Sequence, residues 1–77
     1  MCGLILVECV DGRWFIEVDF GHDFDSFAGI SKPKYSPYVA PNFYSNREGA
    51  LTKALELIRQ VHHNINVNKI SDYIKEM

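Results

Sequence analysis

Apolar and polar positions change their period twice along this chain. Residues 4–10 and 13–20 are two β-rich runs dominated by Val, Ile, Leu, Phe and Trp, separated by Asp11-Gly12. Asp-Gly between two such runs predicts a β-hairpin, because a type I′ turn needs positive φ at both central residues. A two-residue loop then pairs Val10 with Arg13, Cys9 with Trp14, Val7 with Ile16, Ile5 with Val18 and Gly3 with Phe20. The last four pairs share one almost wholly apolar face, which is the predicted core face. The opposite face sets Leu4 against Asp19, Leu6 against Glu17, Glu8 against Phe15 and Val10 against Arg13. Left uncovered, Leu4, Leu6, Val10 and Phe15 would form an exposed apolar stripe bordered by carboxylates, a pattern that marks partner sites or a homodimer seam.

From residue 45 the period becomes helical. Ser45-Asn-Arg-Glu48 has the form of a capping box, with Ser45 as N-cap and Glu48 at N3. At 100° per residue, Ala50, Leu51, Ala54, Leu55, Leu57, Ile58 and Val61 fall on one stripe. Thr52, Lys53, Glu56, Arg59, Gln60 and His63 fall on the other. The helix is expected to reach about His63. After an Asn-rich break, Ile70, Tyr73, Ile74 and Met77 repeat at helical spacing and predict a short second helix from about Ser71. Residues 21–44 are rich in Gly, Pro, Ser and aromatics. A connection of this length usually carries function or hidden structure. A short third strand is expected within residues 35–43, at a sheet edge because Pro33, Pro37 and Pro41 cannot donate to a ladder. The expected fold is a single α+β domain over residues 1–77: a small antiparallel sheet packed on one amphipathic helix.

Composition narrows the class. The chain has 77 residues, enough for one domain with a modest core. The longest apolar run, residues 4–7, falls far short of the roughly 20 residues that span a bilayer. No basic segment precedes it and no small-residue cleavage site follows it, so no secretory signal is read. Cys2 and Cys9 would lie on the order of 23 Å apart on one strand, too far to bond to each other. Free thiols and no signal point to the cytoplasm. The formal net charge is −2, but residues 1–30 hold six acids and one base while residues 31–77 hold seven bases and four acids. Such a split fits either solubility or a directional interaction surface.

No motif assembles chemistry. Asp19, His22, Asp23 and Asp25 crowd one loop, but their spacing matches neither an EF-hand nor a zinc site, and Asp and His after a strand ordinarily serve turns. His62 and His63 are adjacent, so they point about 100° apart on a helix and do not readily share a metal. A helix-end dipole partner and a solvated side chain explain them. Neither cysteine has a nearby histidine, and there is no glycine-rich phosphate loop. No cofactor, metal or catalytic residue is therefore expected. Lys32, Lys34, Tyr35, Tyr38, Phe43 and Tyr44 mix basic and aromatic residues as single-stranded nucleic-acid sites do. Against this, the sequence pI is about 5.8, whereas nucleic-acid binders usually present a basic stripe.

Trp14 on an aromatic second strand and the helix start Tyr44-Ser45, with Ala50 beyond, are similar to the YegP-like family of small β-β-β-α domains. In size and element order the chain also resembles compact phage-encoded anti-CRISPR proteins. The second resemblance implies a stand-alone scaffold that works by binding and blocking. The expected function is thus a small non-enzymatic protein-binding module, an inhibitor that occupies a nucleic-acid-handling complex through its acidic hairpin. Glu8, Phe15, Glu17 and Asp19 on the outer hairpin face, with Asp23 and Asp25 in the adjoining loop, are the candidate contacts. The alternative is a single-stranded nucleic-acid module using Lys32, Lys34, Tyr35 and Tyr38.

Overall fold

The hairpin turn decides the architecture. In the computed structural model, which describes residues 3–20, 23–33, 40–63 and 74–76, β1 spans Gly3–Glu8 and β2 spans Trp14–Phe20. The Gly12 N–H donates to the Cys9 carbonyl at 3.0 Å, and the Cys9 N–H donates to the Arg13 carbonyl at 2.7 Å. Gly12 has φ +87°, and no non-glycine residue among those described has positive φ. Asp11 therefore does not take the left-handed conformation that a type I′ turn requires. The loop has three residues, Val10, Asp11 and Gly12, in the arrangement of a type I turn closed by a left-handed glycine.

One extra loop residue shifts the predicted register by one. The pairs are Leu4–Val18, Ile5–Glu17, Leu6–Ile16, Val7–Phe15 and Glu8–Trp14. A bulge between Gly3 and Leu4 restores the predicted Gly3–Phe20 pair. Because side chains alternate across a strand, the shift turns β1 over relative to β2. Leu4 and Leu6, predicted on the outer stripe, are fully buried. Ile16 and Val18 keep their predicted place in the core. Residues 4–7 of β1 are apolar on both faces, so hydrophobicity alone accepts either register and the turn chooses.

α1 spans Arg47–Val61. Its N-cap is Asn46 rather than Ser45: Asn46 is extended, and its side chain accepts from the Gly49 N–H at 2.8 Å. Asn caps at least as well as Ser, and Glu48 still lies in the first turn, where it favours the helix dipole. Ala50, Ala54, Leu57 and Ile58 are buried, with Leu51, Leu55 and Val61 half-buried beside them, as the stripe predicts. They pack with Leu4, Leu6, Ile16 and Val18 into one core.

Phe24 and Ile30 from the long connection join that core, which anchors the connection to the sheet. Two single-residue bridges then cover the free edge of β2. Ser31 exchanges hydrogen bonds with Val18 and Ile16, and Tyr44 exchanges a pair with Trp14. The edge strand expected within residues 35–43 is not a strand over residues 40–43, and residues 35–39 lie outside the described residues. The predicted C-terminal helix is also revised. Ile74–Glu76 form β3, parallel to β1, so the sheet order is β2-β1-β3. A seven-residue helix is too short to be stable in isolation. The open edge of β1 supplies hydrogen bonds instead, and Ile74 packs against the core. The remainder of that predicted helix lies outside the described residues. Among the described residues, no helix is long and apolar enough to cross a membrane.

Candidate docking surface on the hairpin

With Leu4 and Leu6 turned inward, the outer face of the hairpin consists of Ile5, Val7, Phe15, Glu17 and, by strand alternation, Asp19. Ile5 is only 9% exposed yet stands outside the main core cluster. Val7, Phe15, Glu17 and Asp19 are half-buried. The face is therefore partly closed, and its most open part is the turn end.

That end is ordered by side chains reading outward from the strand. The Phe15 and Phe43 rings meet edge to face, with centroids 5.8 Å apart and planes at 73°. The Arg13 guanidinium lies 4.3 Å from the centre of the Phe43 ring. Arg13 is fixed in turn by Asp11, whose carboxylate accepts from the Arg13 backbone N–H at 3.1 Å and from its Nε at 2.7 Å. The backbone bond does most to hold the Asp11 carboxyl below its usual range; desolvation opposes it, and the guanidinium lowers it further. Val10 at the tip is fully exposed, and Phe43 is 43% exposed. The sequence places Val10 in the outer apolar stripe, opposite Arg13, and Phe43 in the basic-aromatic loop, but it gives no reason to group Phe43 with either. Only the three-residue turn, which lifts Val10 out of the ladder, and the tertiary approach of Phe43 to Phe15 bring them together.

The far end of the face is acidic. Glu17 accepts from the Ser31 hydroxyl at 3.2 Å. Asp19 borders a small cleft with Val18, Lys32 and Pro33. Asp23 is exposed and Asp25 half-buried in the turn that follows. The Lys32 ammonium donates to the Asp25 carbonyl at 2.8 Å, so its charge sits against the acidic turn. Phe15, Glu17 and Asp19 thus share one face as expected, and Asp23 and Asp25 occupy the adjoining turn. Glu8 does not join them. Paired with Trp14, it sits on the α1 side of the sheet, at its exposed end, because the register shift reverses every position on β1.

Of the alternative set, Lys32 is placed as above, while Lys34, Tyr35 and Tyr38 lie outside the described residues. His22 and Cys2 lie outside them too. Cys9 is a free, half-buried thiol at the base of the turn. His62 closes the C-terminus of α1, its N–H donating to the Ile58 carbonyl. Among the described residues, no group of three or more His, Cys, Asp and Glu side chains is placed to hold a metal ion.

A scan of protein-family models finds no match to this chain, and searches of curated proteins and of solved structures find none either.

Proposed function

We propose that this protein is a non-enzymatic protein-binding module that docks through its hairpin. The observation that carries the reading is the position of the exposed large hydrophobic side chains. Among the described residues these are Val10 and Phe43, and both lie at the turn end of the hairpin. Arg13 and the Phe15 and Phe43 rings are held in place there before any partner arrives. Aromatic and Arg side chains dominate the energetics of protein interfaces, and pre-ordering lowers the entropy cost of using them. Glu17, Asp19, Asp23 and Asp25 extend the surface toward its acidic end, where they would steer a basic partner. A second copy on the same face would bring Glu17 and Asp19 of both chains into one seam, where like charges repel. A different, basic partner fits that charge better.

In its finer form, the partner is a nucleic-acid-handling complex in the cytoplasm, and the chain blocks it in the manner of phage-encoded anti-CRISPR inhibitors. The support is the acidic surface of the hairpin and the resemblance in size; the element order β1-β2-α1-β3 departs from the β-β-β-α order expected from the sequence. The nucleic-acid-binding alternative draws no support from Lys32, whose ammonium serves the Asp25 carbonyl.

Pull-down from host lysate, with and without nuclease, tests this reading. The wild type should retain a nuclease-resistant protein. Phe43→Asp should weaken its capture roughly 30-fold, the scale of losing one hot-spot side chain. Glu17→Gln with Asp19→Asn should slow association at low salt more than at high salt. Recovery that disappears with nuclease would overturn the proposal in favour of nucleic-acid binding. Circular dichroism of Phe43→Asp checks that its fold is intact.

A further inference from the structure

No further inference is drawn: the strongest candidate, the open cleft along the solvent side of α1 lined by Thr52, Leu55, Glu56, Arg59, Gln60 and His63, is a helix face of mostly exposed side chains, and nothing in the structure shows what covers it.

Discussion

The two faces of the sheet draw on the same kinds of residue but end in different states. Toward α1, Leu4, Leu6, Ile16 and Val18 meet Ala50, Ala54, Leu57 and Ile58, and all eight are buried. Away from α1, Ile5, Val7 and Phe15 share their face with Glu17, and only Ile5 falls below one-tenth exposure. The difference does not come from β1, whose residues 4–7 are apolar on both sides. It comes from β2, where Ile16 and Val18 alternate with Glu17 and Asp19, and from a helix with one apolar stripe. A carboxylate is costly to bury without partners, so the helix closes over the side of β2 that lacks them. The side left over keeps partly open aromatic and apolar groups beside ordered charge, which is the composition of a docking surface and not of a core.

The largest expected effect separates the two faces directly. Leu6→Ala should cost about 2–5 kcal/mol, because it leaves a cavity in a fully buried site. Val7→Ala, one residue along on the half-buried face, should cost about 1 kcal/mol or less. Urea denaturation measures both. A larger cost at Val7 would restore the two-residue-turn register and reverse the assignment of faces. The same contrast recurs on β2. Trp14→Ala should cost about 3 kcal/mol, as Trp14 packs against the core from the end of the sheet. Phe15→Ala should cost about 1–2 kcal/mol, mainly through its lost edge-to-face contact with Phe43. Equal losses would mean that the outer face is as closed as the inner one.

Smaller effects test the local geometry. Asn46→Ala should cost about 1 kcal/mol and Ser45→Ala only a few tenths, since the structure puts the cap at Asn46. Thermal melts that rank them in the opposite order would return the cap to Ser45. The smallest effect is at Asp11. Its folded-state pKa is lowered, so its contribution is present above the unfolded carboxylate value of about 3.9 and is lost as pH falls through the folded one. The difference in melting temperature between the wild type and Asp11→Asn should therefore be small at neutral pH and shrink below pH ~4. A difference that grows on acidification would show that the Asp11–Arg13 contact does not order the tip in solution.

Several features were written plainly into the chain. The helix stripe from Ala50 to Val61 needs only the 3.6-residue period, and the structure buries it as that period requires. Asp11-Gly12 marked a hairpin because glycine is the residue that takes positive φ without strain, and Gly12 does so. The inner face of β2 followed from the alternation of apolar and acidic residues from Ile16 to Asp19. These are local rules, and local sequence satisfies them whatever the rest of the chain does.

What the sequence left open required contacts distant in the chain or a choice between nearly equal local options. Asp-Gly suits both a two-residue and a three-residue loop, and residues 4–7 of β1, apolar on both faces, accept either, so one unit of register was undetermined. That unit moved Leu4 and Leu6 into the core and carried Glu8 off the candidate surface. The C-terminal segment had a helical period over residues 70–77, but the open edge of β1 drew Ile74–Glu76 into the sheet. The approach of Phe43 to Phe15, across 28 residues of chain, has no local signature. The sequence by itself determined that this chain would form a hairpin and an amphipathic helix, because dihedral preference and period are properties of neighbouring residues. Which face of β1 the helix covers, and which side chains gather at the tip, only the tertiary structure decided, because those depend on where distant segments find hydrogen bonds and apolar surface.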